Sequence, residues 1–378
     1  NTMKARMFLV GAALICANVF LFSNKAMACE ICEGSTSSHE NHIHIGSSAN
    51  DHAPIGVMGD HMHKSGEWML SYRYMHMAMD GNRKGSDRIG RDTIVTTEPN
   101  RFFGAAGQPM TLRVVPTEMQ MDMHMVGAMY APTDWLTLML MANYIEKEMD
   151  HVTYAGMVGT RVLGEFKTKS EGWGDTKVST LWKLYKDDIH KIHLNMGVSL
   201  PTGSLKESGM VLTPMNMRTN MRLPYGMQLG TGTYDLLPGI TYNGQKGPWE
   251  WGAQYSAEVR LEDENEEGYA WGNKHSLTTW GSYEWAPWIS TSLRLTGTTQ
   301  GDIDGIDAQI MAPVQTADPD NYGGKTIETG LGVNLYGTHG AIKGQRLAFE
   351  LSAPVYQNLN GPQMERDYAL TVGWQYAF

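Results

Sequence analysis

Imidazole nitrogen and thioether sulfur are the side-chain groups in this sequence best suited to specific chemistry, and both are concentrated near its start. Six of the 13 histidines fall within residues 39–63: His39, His42, His44, His52, His61 and His63. Imidazole is the commonest metal ligand, and thioether selects soft ions such as Cu(I). The runs "HENHIHI" and "MGDHMH", the second containing Met62, bring such donors together in one short segment. Biased His-rich tracts are often metal-binding, so these seven residues are expected ligands for copper or zinc. A hydrophilic tail whose histidines merely cluster is the plain alternative.

A second concentration, "EMQMDMHM", carries Met119, Met121, Met123 and Met125 in alternation with Gln120, Asp122 and His124. In a strand these are two opposite faces. An ionised Asp122 turned toward hydrocarbon would cost about 2.5 kcal/mol or more. The polar set is therefore expected to face a lumen and these methionines to face lipid; the reverse orientation would put four thioethers into the pore, a ladder that could pass Cu(I). Met69, Met75, Met139 and Met141 fall on polar faces and are the better prospects for lumenal thioethers.

No catalytic residue set is expected. The chain lacks a G-x-S-x-G elbow, an H-E-x-x-H pair, a phosphate-binding loop and a dinucleotide fingerprint. His124 near Asp122 is the nearest hint of an acid–base pair.

The elements that would position these residues are strands. In the first, Trp68, Leu70, Tyr72 and Tyr74 share one face, and Met69, Ser71, Arg73 and Met75 the other. Twelve such segments run from about 67–77 to 366–378, joined alternately by short turns such as "APTD" and by long polar connections. A soluble sandwich buries its apolar faces, whereas a transmembrane barrel turns them outward. Strands of about ten residues, turns short on one side only and aromatic strand ends favour the barrel. The fold class is thus all-β, a transmembrane antiparallel β-barrel of about twelve strands, spanning residues 67–378. Strand parity offers Arg73, Asp122, His124, Lys177, Gln254, Glu258 and Arg260 as lumen-lining residues that would set selectivity. A twelve-stranded lumen would be narrow, and the segment before it could fill it.

Residues 1–28 read as a signal peptide, with Lys4 and Arg6 before the apolar run "MFLVGAALICANVFLF" and "AMA" as cleavage site. Residues 29–66 are Gly-, Ser-, His- and Asp-rich without apolar periodicity, a flexible periplasmic segment or plug. Cys29 and Cys32 would form a local disulfide, or Cys29 would be acylated. Losing Lys4, Arg6 and Lys25 makes a formal charge of −10 more negative by three, which excludes nucleic acid as a partner. Acidic stretches at 262–268 and 302–320 read as solvated outer loops, since neither has EF-hand spacing.

The stretches "GWGDTKVSTLWKL" (172–184), "LNMGVSLPTGS" (194–204), "GTYDLLPGITY" (232–242) and "QRLAFELSAPVYQNLNGPQ" (345–363) resemble the outer-membrane proteins associated with the meta-cleavage pathway of phenol degradation. The Met/His-rich start resembles a subgroup described as transporters. That resemblance implies an outer-membrane channel for small solutes such as aromatic or hydrophobic compounds, with no cofactor required. A metal-handling protein and a structural or adhesive barrel are the alternatives. The final strand, "DYALTVGWQYAF", resembles the insertion signal read by the barrel-assembly machinery through Phe378. Outer-membrane lipid and lipopolysaccharide are the other expected partners, with both termini periplasmic.

Overall fold

The computed structural model describes residues 48–378. The signal peptide, Cys29, Cys32, His39, His42 and His44 lie outside the described residues. Eleven extended elements form one closed sheet: β1 (Trp68–Gly85), β2 (Val114–Thr133), β3 (Leu136–Tyr154), β4 (Thr176–Lys186), β5 (His190–Leu200), β6 (Asp235–Lys246), β7 (Trp249–Arg260), β8 (Lys274–Ala286), β9 (Ile289–Gln300), β10 (Gly324–Tyr336) and β11 (Gln345–Ala377). Each pairs antiparallel with its sequence neighbour, and β11 closes the ring on β1.

A ring in which every pair is antiparallel needs an even number of crossings. The odd element is resolved by β11, whose residues 346–359 pair with β10 and whose residues 359–377 pair with β1. It doubles back at Asn360–Gly361, where Gly361 takes φ 62°, a left-handed conformation that glycine adopts without a Cβ penalty. Trp374 donates to Gln345 and Arg346 to Gln375 across this hairpin. Eleven elements therefore cross the wall twelve times.

Parity is read from one end of the wall. Trp68 stacks on Tyr130 at 4.4 Å, Trp135 meets Trp182 at 5.3 Å, and Trp249 meets Tyr283 at 4.8 Å. Most of these rings are exposed and sit beside the short turns. Such a belt of amphipathic rings is the mark of a membrane interface. Above it the outward face continues with exposed Leu70, Val126, Leu138, Leu140, Leu293 and Leu351. The first three strands are longer than the sequence suggests, at 18, 20 and 19 residues. At about 3.4 Å per residue and a tilt of about 40°, they rise past an apolar band about 25 Å tall. Strand Val162–Trp173 pairs with the upper part of β3, while β4 takes its lower part.

The long connections fold. Val114, Phe166, Leu212, Tyr225, Tyr269, Ile303, Ile310, Val314 and Ala317 make a hydrophobic core at the far end of the barrel. Arg222 Nη1 meets Asp307 Oδ2 at 3.3 Å and Glu267 Oε2 at 3.5 Å. The reading of 302–320 as a solvated loop is thus corrected: its isolated apolar residues are drawn together by chain segments distant in sequence. In the 262–268 run Glu262, Asp263, Glu264 and Glu266 remain exposed, while Asn265 is buried.

Candidate functional site

Residues 48–66 cross the lumen at the short-turn end. Wall side chains bind its backbone: Arg346 Nη2 donates to Ala53 O at 2.5 Å and Arg73 Nη1 to Ile55 O at 2.8 Å. Gln254 Nε2 donates to Met58 O at 2.9 Å and Asn243 Nδ2 to Asp60 O at 2.6 Å. Asn195 and Ser290 reach Gly59 O and Ala49 O. A buried backbone carbonyl must find a donor, and here the inward faces of β1, β5, β6, β7, β9 and β11 supply them. The plug's own side chains complete the seat. Ala53 and Val57 pack on Trp280, and Ile55 is buried against Gly373, where a Cβ would lie 2.6 Å from Ile55 Cδ1.

The register of β1, β2 and β3 decides what lines the lumen beside this plug. Arg73 faces inward and pairs with Met125; Met69 pairs with Met129, Met75 with Met123, Met77 with Met121 and Met79 with Met119. On β3, Met139 pairs with Met129 and Met149 with Met119. Directly opposed residues share a face, so the inward surface of three adjacent strands is a field rich in thioethers, interrupted by Ser71, Arg73, Asn143 and Lys147. Met62 from the plug packs into it with Met69, Met129 and Leu181, and also borders the cavity that His52, His61 and His63 line. Thioethers are soft, polarizable and adaptable apolar surface.

This register corrects one expectation. Asp122 pairs with His76 and His124 with Tyr74, all on the outward face, so Asp122 and His124 are not lumen-lining, and Met119, Met121, Met123 and Met125 are. Height is the physical reason. Asp122 lies eight residues above the girdle residue Tyr130, about 20 Å along the normal, near the upper margin of the apolar band. There Asp122 accepts from Tyr74 Oη at 2.5 Å and contacts His76 Nδ1 at 2.8 Å, while Tyr72 Oη meets His124 Nδ1 at 2.7 Å. Tyr144 with Trp173 marks the same level on β3.

The other lumen candidates face inward. Lys177 Nζ lies 3.3 Å from Glu258 Oε1, and Arg260 Nη2 lies 3.6 Å from Glu258 Oε2 while Nη1 pairs with Asp235. Lys177 and Glu258 border a cavity of about 180 Å³ that Met58, Met139 and Met141 also line, Met141 being the cross-strand neighbour of Lys177. Further inward charges escaped sequence reasoning. Glu350 accepts from Arg294 at 2.7 Å, Arg294 reaches Glu328 at 3.3 Å, and Glu328 pairs with Arg366 at 2.6 Å. Their signal was the alternation "RLAFEL", in which Arg346, Ala348 and Glu350 oppose Leu347, Phe349 and Leu351.

Of the expected metal ligands within the described residues, His52, His61 and His63 come together. Ring centroids are 4.5 Å apart for His52 and His61, and 4.9 Å for His61 and His63. They line, with Asp60, Glu67 and His193, a cavity of about 360 Å³. Burial, then the facing His61 and Arg346, hold His52 well below the usual imidazole range, and burial lowers His63. Burial would raise Asp60, yet contact with His61 brings it below the usual carboxylate range. Two imidazoles are thereby neutral at neutral pH and one carboxylate is ionised.

No protein-family model and no curated protein sequence matches the chain. Among solved structures it is similar to an outer-membrane channel from Pseudomonas putida F1, at 14% identity and TM-score 0.53, covering 85% of this chain and 99% of that one. A Pseudomonas aeruginosa FadL homologue matches at 9% identity and TM-score 0.40, covering 82% of this chain and 89% of that one. The Pseudomonas putida toluene transporter TodX matches at 9% and 0.40, covering 91% and 95%. The first likeness shows a shared fold, and the chain is an all-β closed barrel of the outer-membrane kind.

Proposed function

We propose that the protein is an outer-membrane channel for small apolar or aromatic solutes, in keeping with its resemblance to the phenol meta-cleavage group. The observation that carries this reading is the thioether field facing the lumen along β1, β2 and β3. A channel for hard ions or sugars gains nothing from such a surface, because a solute shedding water needs polar replacements. An apolar or aromatic solute instead finds contacts without a fixed geometry. The charged strip of Lys177, Glu258 and Arg260 across the lumen would orient a solute with one polar end.

Passage requires the plug to yield, since residues 48–63 are bound to the wall at its short-turn end. Trp68 and Phe378 exchange two backbone hydrogen bonds of 2.9 Å at the girdle end, which we assign to the periplasmic side together with both termini. The strand ending at Phe378 would be read there by the assembly machinery, and lipopolysaccharide would surround the folded loops.

The test is proteoliposome uptake of phenol against a sugar of similar size. Replacing Met121 and Met123 by Gln keeps side-chain length but adds amides. Phenol uptake should fall several-fold while sugar uptake holds or rises. An unchanged phenol-to-sugar ratio in the folded variant would exclude the thioether field as the path.

A further inference from the structure

The geometry points to a transition-metal site within the plug, in which His52, His61 and His63 take a zinc(II)- or copper(II)-class cation through three imidazole nitrogens. It goes beyond solute passage, and nothing in the channel reading requires it. Three observations carry it.

First, three donor atoms lack partners. His52 Nδ1, His61 Nε2 and His63 Nε2 are buried and have no hydrogen-bond partner among the described residues. Leaving one buried polar atom unpaired costs about 1–3 kcal/mol. Three within one cluster call for a shared occupant. Second, the spacing fits. Nitrogens bound about 2.0–2.1 Å from one ion sit about 3.4 Å apart in a tetrahedral arrangement. The rings of His52 and His61 have centroids 4.5 Å apart, and donor atoms of His52, Asp60 and His61 already lie within 4.8 Å of one another; His63, its ring 4.9 Å from that of His61, lies outside that group and would turn to join it. Third, the far nitrogens are backed. His61 Nδ1 lies 2.9 Å from Asp60 Oδ1, and His63 Nδ1 lies 3.5 Å from Glu67 Oε2. Metal-ligating histidines regularly give their second nitrogen to a carboxylate, which fixes the tautomer and turns the other lone pair to the ion. Asp60 is itself held, its Oδ2 accepting from Ala53 N at 3.0 Å.

Ligand chemistry selects the class. Three imidazole nitrogens suit zinc and copper(II) and offer little to magnesium or calcium, which take oxygen. The cation would tie His52 to His61 and His63, and so join the start of the plug to its end. A bound ion that the released plug cannot hold would stabilise the seated form by mass action.

The test uses full-length protein in detergent with His39, His42 and His44 changed to Gln, so that histidines preceding the plug do not contribute. Zn²⁺ binding is read by titration and Co²⁺ binding by visible absorption. One ion per chain is expected, with the intense bands of a tetrahedral nitrogen site. His52→Gln and His61→Gln should each remove that spectrum. Asp60→Asn, a positioning change, should keep a shifted spectrum and weaken Zn²⁺ about 10–100-fold. Each variant is first shown to run as a folded, heat-modifiable barrel. If the parent binds no Zn²⁺, or if His52→Gln and His61→Gln bind it as the parent does, the cluster is a water-filled polar pocket and the site is refuted.

Discussion

Arg73→Met isolates the strength of the plug's seat. The Arg73 side chain is buried, and its guanidinium donates to two plug carbonyls, Ile55 O at 2.8 Å and Val57 O at 3.4 Å. A hydrogen bond from a charged donor contributes about 1.5–3 kcal/mol, and the longer contact adds little. Methionine retains most of the stem, so packing loss is small. The seat should weaken by about 2 kcal/mol, which raises the released fraction of plug about 30-fold. The wall is untouched, because the pairing of residue 73 with Met125 and Gly373 is backbone. The assay places one reporter thiol at Ala53→Cys, a position 3% exposed, with Cys29 and Cys32 changed to Ser. Maleimide labels that thiol only from the released state, so its rate follows the released population when reseating is fast. As a control, Arg83→Met removes an ion pair with Glu365, distant from the plug, and should leave labelling unchanged. If Arg73→Met labels no faster than its parent, the carbonyl contacts do not hold the plug and the reasoning fails.

Two further outcomes follow from the cap and from strand parity. Tyr225 is fully buried, edge-on to Tyr269 at 4.7 Å and to Tyr322 at 5.8 Å. Tyr225→Ala should cost the cap about 3–5 kcal/mol, seen as new protease cuts within 201–234 and 301–323 while the barrel stays heat-modifiable; loss of the whole barrel would show that the cap is not a separate cooperative unit. Asp122→Asn touches the outer rim and should leave the phenol-to-sugar uptake ratio unchanged, with stability altered by about 1 kcal/mol or less. Met123→Asp, one residue away, should shift that ratio strongly toward polar solute. The reverse ranking would invert the register of β2.

How much of this was legible in the sequence depends on which physical scale governs each residue. The barrel is written locally, in alternation with period two and in aromatic strand ends, and both survive in the structure. The inward placement of Arg73, Lys177, Gln254, Glu258 and Arg260 follows from the same alternation. The cap was not legible, since Phe166, Tyr225 and Ile310 are isolated apolar residues in polar connections and meet only through long-range packing. The plug was half legible: its histidines stand out by type, but Ala53, Ile55 and Val57, spaced by two, form the apolar stripe that seats on Trp280 and Gly373.

The error on β2 shows which cue should rank first. Charge orients the strand only on the premise that a carboxylate cannot face hydrocarbon. That premise holds only within about 25 Å of wall, and β2 is 20 residues long. Tyr130, beside the short turn, has the opposite parity to the four methionines and the same parity as Asp122. A girdle aromatic must face outward at a known height, because its ring lies at the interface. Counting by twos from Tyr130 through Ala128 and Val126 puts His124 and Asp122 outside and the methionines within. Anchoring parity on the girdle, and asking of each charge only how high it stands, turns the thioethers from lipid-facing wall into the lining of the lumen.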